Sequence, residues 1–413
     1  MLKKVMIISG ESSGELYGAF LAKALIAENP GINIVGVGGE RMRSAGVRLV
    51  AGISSSFGIT EAVKTYIELR ETFKKVISTL KSFKPEVLVL IDYPDFNIKV
   101  AKKAKEFGIK ILYYVSPQVW AWRMGRIKVI GRFVDRMALI LPFEEEIYKR
   151  AGIPCEFVGH PIMDEIREVM NELGVRSWEF GADLQNNEIK SKVKEELGLI
   201  PDKPVMALMP GSRFHEIEKL LPVMSEVIDA VKERYPDYQF VIPIAPNLGD
   251  TVLSTINKVA PRSSFITRNS IKALLASDIA VIASGTSALQ AALLCVPIVV
   301  VYKLSPLTYF IGKLIVKVKH ISLVNILLDY LEGQGSVVKG RGKFFHSLRI
   351  KELLQKEAHK ENIIMELNKI MDDVDYRNEM VSQMKRVRAL FLEKEASLRL
   401  AEMAEGLGVQ AGV

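Results

Sequence analysis

Short apolar segments alternate along the chain with longer segments in which apolar residues recur at helical spacing. In the first 163 residues the apolar segments lie at 5–9, 33–37, 87–91, 110–115, 137–141 and 156–158. These segments predict buried strands, and an amphipathic segment such as 15–27 predicts a helix. A strand, a helix and a further strand in succession form a right-handed crossover within a parallel sheet. Residues 1–163 are therefore predicted to form a Rossmann-like domain.

The same alternation returns after a polar interval. Residues 164–203 are charged and are interrupted by Gly174 and Gly181, which predicts a linker with a helical connection. Further strands are predicted at 205–209, 240–244, 264–266, 279–283 and 298–301, with helices at 216–235 and 271–276. Residues 204–348 are thus a second Rossmann-like domain, and residues 349–413 are predicted as charged C-terminal helices. The predicted fold class is α/β, with two Rossmann-like domains facing a cleft and a helical C-terminal segment.

One segment permits a different interpretation. Residues 279–302 contain no charged side chain, and this length would allow a helix to span a membrane. However, SGTS at 284–287 and Pro297 divide the segment into a strand, a loop, a short helix and another strand. We therefore favour a buried strand–loop–helix–strand unit.

Composition narrows the class of protein. The chain has 413 residues, of which 49% are hydrophobic and 25% charged, and this mixture excludes collagen, coiled coil and disorder. Cys155 and Cys295 are the only cysteines, which argues for a reducing compartment and against a zinc cluster. The five histidines show no metal-ligand spacing, and His160 in GHP is interpreted as a turn residue. A net charge of +8 favours anionic partners without choosing among phosphates, nucleic acid and acidic membranes.

Two loops of the first domain carry residues suited to chemistry, because ligands of parallel sheets bind beyond the carboxyl ends of the strands. The segment GESSG (10–14) follows the first strand and opens a helix, whose N-terminus attracts anions. A turn capped by one of its serines is an equal alternative. Asp92 and Asp95 follow the strand 87–91, where a partly desolvated carboxylate is well placed as a general base. The alternative is a helix N-cap, a role that fits Asp95 better than Asp92.

Two loops of the second domain suit phosphate. PGSR (210–213) places Arg213 at a helix entrance, where a guanidinium can pair with two oxygens of a diphosphate. SGTS repeats the arrangement with Ser284, Gly285 and Thr286. Gln290 lies one helical turn beyond Thr286, where its side chain could reach a ribose hydroxyl. The alternatives are coincidental helix capping by both loops and, for Gln290, a polar residue in a buried helix.

Aromatic and basic residues cluster in two further places. YYVSPQVWAWR (113–123) is either a ligand wall or the aromatic edge of a core. Two groups of basic residues can be interpreted as solvated helix faces. For the second group there is an alternative, a helix that lies on an anionic membrane surface together with Tyr309, Phe310, Ile311, Leu314 and Ile315. The groups are Arg123, Arg126, Lys128, Arg132 and Arg136, and Lys313, Lys317 and Lys319.

The motifs together resemble a known family. In chain order they are GESSGELYGA, GVGGERM, FGITEAV, LIDYPDFN, YYVSPQVWAWR, LPFEEEIY, FVGHP, LMPGSRFHEIEKLLP, ASGTSALQAALLCVPIVVVYK and ISLVNILL, through about the first 330 residues. This set is similar to that of the lipid-A-disaccharide synthases, which are inverting glycosyltransferases of the GT-B type. The combination of WAWR, GHP and PGSR makes the resemblance specific, because an unrelated Rossmann-like protein would rarely contain all three motifs.

The resemblance implies a reaction. 2,3-Diacylglucosamine is transferred from UDP-2,3-diacylglucosamine to the 6-hydroxyl of 2,3-diacylglucosamine 1-phosphate (lipid X), giving a β-1,6 disaccharide 1-phosphate and UDP. No metal, cofactor or nucleic acid is expected. The expected location is cytoplasmic, peripheral on the cytoplasmic face of the inner membrane, whose surface is a partner, and a homodimer is left open.

The resemblance also implies roles for individual residues. Asp92 is expected to be the base that deprotonates the acceptor hydroxyl. The other site residues are expected to bind substrate: Ser13 and Gly14 from the first loop, Arg213 with Ser284, Gly285 and Thr286 at the UDP diphosphate, Gln290 at the ribose, and Asn325 facing the donor.

The chain departs from the family pattern at three positions. Glu15 stands in place of aspartate, Gln290 in place of glutamate, and SLVN (322–325) lacks the proline of SLPN. The match is also interrupted at 333–347. Two other functions therefore remain as alternatives. One is another GT-B enzyme, such as a UDP-sugar transferase with a soluble acceptor or a UDP-N-acetylglucosamine 2-epimerase. The other is a non-enzymatic peripheral membrane protein that binds nucleotide or lipid.

Overall fold

The chain forms two compact units. The structure is a computed structural model that describes residues 1–52, 59–122, 125–175, 185–245, 264–304, 319–333 and 349–409, together with 248, 256, 258 and 259. The first unit comprises Met1–Asp164 and Lys394–Val413, and the second comprises Glu165–Glu393.

The first unit contains a seven-stranded sheet in which every pairing is parallel. Its strands are β1 (Lys4–Ser9), β2 (Asn33–Gly38), β3 (Arg48–Gly52), β4 (Val87–Ile91), β5 (Lys110–Tyr114), β6 (Arg136–Leu139) and β7 (Cys155–Phe157). Their order in the sheet is β3-β2-β1-β4-β5-β6-β7. The six predicted strands are confirmed. The seventh, β3, was not predicted because it is a half-buried edge strand without a strongly apolar run.

Both faces of the sheet are buried at its central strands, which explains why β1, β4 and β5 are almost continuously apolar. Val5 and Ile7 belong to the core on one face, whereas Met6 and Ile8 belong to the core on the other. Neighbouring side chains of a strand point to opposite faces, so a strand covered on both sides needs apolar residues at every position.

Helices cover the sheet and connect its strands. They are α1 (Ser12–Glu28), α2 (Glu40–Ser44), α3 (Ile59–Phe83), α4 (Pro94–Glu106), α5 (Val119–Trp122), α6 (Arg126–Phe133) and α7 (Glu144–Arg150). A further helix, α8 (Ile162–Glu172), carries the chain across the boundary into the second unit.

The second unit contains a six-stranded parallel sheet. Its strands are β8 (Val205–Met209), β9 (Gln239–Pro243), β10 (Ser264–Thr267), β11 (Ile279–Ala283), β12 (Ile298–Tyr302) and β13 (Glu352–Leu354). Their order is β10-β9-β8-β11-β12-β13. Its helices are α9 (Asn187–Glu196), α10 (Phe214–Arg234), α11 (Ser270–Leu275), α12 (Thr286–Leu293), α13 (Leu323–Leu331), α14 (Lys360–Asp372) and α15 (Val374–Ala389).

The uncharged segment 279–302 is a buried part of this sheet. It forms β11, α12 and β12 in succession, as the favoured interpretation predicted, and the membrane-span alternative is wrong. In the part of the chain that the structure describes, no helix combines the length and the apolar character needed to cross a membrane.

The C-terminal segment is divided between the units. The prediction of helix throughout 350–407 is wrong at β13, which is too short to show a strand pattern in sequence. Helices α14 and α15 belong to the second unit, whereas the last helix, α16 (Ala396–Val409), belongs to the first, where it packs against α1. Leu400, Ala404 and Leu407 of α16 lie in the same core as Val5 and Ile7.

A carboxylate holds the start of α16. Oδ2 of Asp164 accepts hydrogen bonds from the backbone N–H of Ser397 at 3.0 Å and from its hydroxyl at 2.6 Å. An anion at a helix N-terminus satisfies backbone donors that have no partner within the helix and interacts favourably with the helix dipole.

Replacing this carboxylate is expected to weaken the attachment of α16. Asp164→Ala should lower the free energy of unfolding by about 1–3 kcal/mol, because it leaves part-buried donors unsatisfied. Urea unfolding followed by circular dichroism measures this change. Glu233→Ala, at an exposed position of α10, is the control and should change stability by less than about 0.5 kcal/mol. Equal stability of the two variants would contradict the prediction.

Candidate active site

Each sheet has one point at which the direction of chain winding reverses. In the first unit the chain moves outward from β1 to β3 and then returns to place β4 on the other side of β1. In the second unit the corresponding neighbours are β8 and β11. Loops diverge at such points, and the crevice between them is the usual ligand site of an open parallel sheet. The four loops singled out in the sequence follow these four strands.

In the first unit the two loops contact each other. A Cβ atom at Gly10, after β1, would overlap the ring of Tyr93, after β4. Only glycine allows this close approach. Gly14, in the first turn of α1, is buried against Ile91 and Ser9, whereas Ser13 is exposed. The structure therefore brings together Ser13, Gly14 and the loop that carries Asp92.

Asp92 lies at a strained backbone position. Asp92 and Tyr93 both have φ of +47°, in the left-handed region that residues with a side chain rarely adopt. The buried Asn97 donates through Nδ2 to the carbonyls of Ile91 at 3.2 Å and of Asp92 at 2.7 Å. The hydroxyl of Tyr113 donates to the same Asp92 carbonyl at 2.6 Å. These bonds hold the backbone of the half-buried Asp92 at the end of β4.

Tyr113 is suited to this donor role. Burial, together with the nearby charge of Asp92, raises the pKa of Tyr113 well above its ordinary value, so its hydroxyl keeps its proton. Asn97 was not predicted from the sequence as a site residue, and Tyr113 was considered only as part of a ligand wall or of an aromatic core edge. Their role depends on the left-handed turn, for which the sequence contained no glycine signal.

The capping alternatives for these loops are wrong. Helix α1 begins at Ser12 with Glu11 as its N-cap, and α4 has Tyr93 as its N-cap, in both cases without a side-chain capping bond. Asp95 is exposed and forms an ion pair with Arg126 of α6. Helix capping therefore does not explain why Ser13 and Asp95 are exposed at the ends of β1 and β4.

The aromatic segment after β5 belongs mainly to the core. Tyr113 and Tyr114 are fully buried and Trp120 is 2% exposed, as the core-edge alternative predicted for these residues. Arg123 lies outside the described residues. His160 is buried, and Nδ1 accepts the backbone N–H of Ile162 at 3.2 Å, which confirms it as a turn residue. Burial lowers the pKa of His160 to about 3, so it is neutral at physiological pH.

A buried acid lies behind the aromatic segment. Glu144, at the start of α7, is 1% exposed and accepts a hydrogen bond from Nε1 of Trp120 at 3.2 Å. Burial raises the pKa of Glu144 to about 8, although hydrogen bonds from Ser116 and Trp120 partly oppose this rise. Ser116 in turn shares a hydrogen bond of 2.7 Å with the hydroxyl of Tyr148. Glu144 was not predicted from the sequence because it stands in a run of three glutamates, and only the fold shows which one is buried.

In the second unit, PGSR forms a tight turn over a carboxylate. Gly211 has φ of +118°, and Oε2 of Glu216 accepts the backbone N–H groups of Ser212 at 3.1 Å and Arg213 at 3.3 Å. The side chain of Arg213 is 52% exposed, and Nη1 lies 3.7 Å from Oε1 of Glu216. Glu216 thus occupies backbone donors at the start of α10, and the guanidinium is the cationic group presented to solvent.

The SGTS loop is more open. Gly285 has φ of +148°, is exposed, and precedes α12 without a side-chain capping bond. Thr286 is exposed as well, whereas Ser284 is anchored by its N–H, which donates to the carbonyl of Val301 at 3.0 Å. The coincidental-capping alternative is therefore wrong for this loop. The strand before this loop, β11, is paired with β8, the strand that leads to Arg213. An uncapped helix N-terminus of this kind binds phosphate in other proteins.

Two predicted ligand-binding residues are engaged inside the protein. Gln290 is 8% exposed, and Nε2 donates to Oε2 of Glu165 at 3.0 Å. Asn325 is 1% exposed and donates through Nδ2 to the Ile350 carbonyl at 2.9 Å and to Oε1 of Glu352 at 2.7 Å. In this structure Asn325 stabilises the segment around β13, and its contact with a donor stays a prediction.

The carboxylate of Glu352 connects β13 to the residues before and within α13. It also accepts the backbone N–H groups of Ile321 at 2.9 Å and Ser322 at 3.2 Å. Burial alone would raise the pKa of Glu352, but hydrogen bonds from His320, Ile321 and Asn325 lower it below its ordinary value. A charged Glu352 therefore joins β13 to the start of α13.

The basic segments divide into paired and exposed residues. Arg126 pairs with Asp95 and Arg136 with Glu156, whereas Lys128 and Arg132 are exposed on α6. Residues 305–318, which include most of the second basic and aromatic group, lie outside the described residues. Within the described part of the chain, no group of three or more metal-ligating side chains is found.

Two parallel-sheet units, each with its polar loops at the reversal point, define the class as a two-domain α/β protein with the GT-B fold. Solved structures share this fold. A UDP-GlcNAc 2-epimerase from Neisseria meningitidis bound to UDP-GlcNAc aligns with a TM-score of 0.61 at 12% identity, covering 98% of this chain and 100% of that one. The glycotransferase of kitacinnamycin aligns with a TM-score of 0.56 at 13% identity, covering 98% of each chain.

Sequence comparison identifies the family within this class. The model of the lipid-A-disaccharide synthetase family matches residues 5–403. Lipid-A-disaccharide synthase of Geobacter sulfurreducens is 38% identical over 376 residues, or 90% of this chain and 89% of that protein. The enzyme of the same name from Coxiella burnetii is 35% identical over 411 residues, 98% of each. The chain belongs to the lipid-A-disaccharide synthetase family of glycosyltransferases, which confirms the resemblance and disfavours the epimerase alternative.

The buried acid makes stability depend on pH. The unfolded chain loses the Glu144 proton near 4.5, whereas the folded protein keeps it to about 8, so this group lowers stability as the pH rises through that window. Glu144→Gln keeps a neutral group in place and should gain stability relative to the unmodified protein between about pH 5 and about pH 8. Urea midpoints measure the difference.

Glu146→Gln is the matched control because Glu146 lies on the same helix and its side chain is 59% exposed. Parallel pH profiles of the Glu144 variant and the unmodified protein would contradict this account of Glu144.

Proposed function

We propose that this protein is a lipid A disaccharide-forming enzyme. It transfers 2,3-diacylglucosamine from UDP-2,3-diacylglucosamine to the 6-hydroxyl of 2,3-diacylglucosamine 1-phosphate, releasing UDP. The observation that carries the proposal is the family match over residues 5–403. The loops at the two reversal points supply side chains of the kinds that this reaction needs.

Asp92 is the proposed base. Its carboxylate is half-exposed, and its backbone is held by Asn97 and Tyr113, so little reorganisation is needed when it accepts a proton. The 6-oxygen of the acceptor bonds to the anomeric carbon as its proton passes to Asp92. The bond between that carbon and the UDP oxygen breaks, and UDP takes the electron pair. Ser13 and Gly14, at the start of α1, line the acceptor side.

Arg213, Ser284, Gly285 and Thr286 are the proposed diphosphate-binding residues. The leaving UDP gains negative charge as its bond to the sugar breaks. The half-exposed guanidinium of Arg213 and the uncapped N-terminus of α12 stabilise that charge. These groups provide the positive charge that a metal ion supplies in other sugar transferases, so the reaction is proposed to be metal-independent. Direct displacement by the acceptor inverts the anomeric configuration.

Both proposed substrates carry acyl chains, which partition into a membrane. We propose that it is cytoplasmic and binds peripherally to the cytoplasmic face of the inner membrane. Lys128 and Arg132 are exposed on α6, while Ile127 and Ile130 of the same helix are buried. This exposed basic face suits an anionic lipid surface.

An assay of product formation tests the reaction. Purified protein is incubated with both lipid substrates, with EDTA present and detergent varied, and the lipids are resolved by chromatography. We expect a disaccharide 1-phosphate and UDP in equal amounts despite EDTA. Product with a soluble acceptor alone, or UDP binding without any product, would contradict the proposal.

Two carboxylates on one loop provide a matched test of the base. Asp92→Asn should lower kcat by about 10²- to 10⁴-fold, because the amide cannot accept the proton. Asp95→Asn should retain nearly full activity, since Asp95 is 78% exposed and its ion pair with Arg126 lies at the surface. Steady-state kinetics measure both, with circular dichroism to check folding. A near-normal rate for Asp92→Asn would remove Asp92 from this role.

A further inference from the structure

Gln290 and Glu165 form a pair at the edge of the proposed UDP site. Gln290 lies on α12, four residues after Thr286, and is 8% exposed. Its amide nitrogen donates to Oε2 of Glu165 at 3.0 Å, while Glu165, near the start of α8, is half-buried. Both residues belong to the second unit. The amide thus contacts one carboxylate oxygen of Glu165, a residue that is partly accessible to solvent.

The pair lies about one helical turn from the proposed diphosphate-binding residues. Four residues, slightly more than one helical turn, separate Gln290 from Thr286, which is about 6 Å along the axis. Side chains of a helix lean toward its N-terminus, so Gln290 extends back toward the open SGTS loop. A diphosphate held at Gly285 and Thr286 would place the attached ribose about one turn from the loop, near this pair.

The chemistry of the two side chains differs. The 2′- and 3′-hydroxyls of ribose donate hydrogen bonds, and an ionised carboxylate is an acceptor-only group that forms roughly twice as strong a bond as a neutral amide. We propose that Glu165 is the ribose-binding residue of this chain and that Gln290 is a positioning residue, which orients Glu165 through its amide. This inference rests on the proposed function and adds a residue to the same site.

Exchange of the two side chains tests the assignment. The variants are Glu165→Gln, Gln290→Glu and the double variant with both changes, and calorimetry measures the Kd of UDP and of 2′,3′-dideoxy-UDP. Glu165→Gln should weaken UDP binding about 10- to 100-fold, the size of a lost charge-assisted bond, and leave the dideoxy analogue nearly unchanged. The double variant restores one carboxylate and one amide to the pair and should recover most of the UDP affinity.

Gln290→Glu alone sets two carboxylates against each other and should also weaken UDP binding. With the sugar donor, Glu165→Gln should raise KM more than it lowers kcat, because ribose lies away from the reacting bond. Glu172→Gln, at an exposed position of the same helix, is the control and should bind UDP normally. Thermal unfolding confirms that each variant is folded.

The outcomes separate this inference from the proposed function. Unchanged UDP affinity in Glu165→Gln would overturn the inference, as would an equal loss for UDP and its dideoxy analogue, which indicates a purely structural role. Failure of the double variant to recover affinity would overturn the positioning role of Gln290. If the unmodified protein bound neither nucleotide, the proposed function would itself be wrong, and this inference would fall with it.

Discussion

Burial of both faces of the central strands of each parallel sheet is the constraint on which the rest of the molecule depends. Strands such as β4 and β11 are apolar at every position because each side chain meets a core. In these central strands, polar side chains are consequently confined to the ends, where the loops leave the sheet. At the points where chain winding reverses, two such loops diverge and leave room for a ligand. The same packing that stabilises the sheets therefore decides where chemistry can occur.

The loops at the two reversal points are held in place by different kinds of contact. In the first unit, a left-handed turn at Asp92 and Tyr93 is held by side-chain donors from Asn97 and Tyr113. Such a backbone costs about 1–3 kcal/mol per residue and persists only where surrounding contacts stabilise it. In the second unit, carboxylates have the corresponding role, since Glu216 holds the PGSR turn and Glu352 holds the residues around Asn325. In both units, side chains within the protein thus position the loops whose residues can act on a ligand.

Buried ionisable groups illustrate how position alone sets chemistry. Glu144 and Glu216 are both mostly buried, but Glu216 accepts two backbone N–H groups, whereas Glu144 relies on side-chain donors within an apolar region. Burial without sufficient compensation favours the neutral acid, which is the state of Glu144 at physiological pH. Two buried glutamates of one chain therefore differ in the groups that they bind, because the fold places different donors around each.

The sequence by itself determined the strands, the parallel sheets, the family and the loops at which chemistry is expected, because these depend on local apolar patterns and on short motifs. It did not identify β3 or β13, whose patterns are weak at a sheet edge, nor the return of α16 to the first unit. It also did not distinguish Glu144 from its neighbours or pair Gln290 with Glu165, 125 residues apart. Only the tertiary structure decided these features, because burial and hydrogen-bond partners arise from segments that are distant in the chain and are brought together by folding.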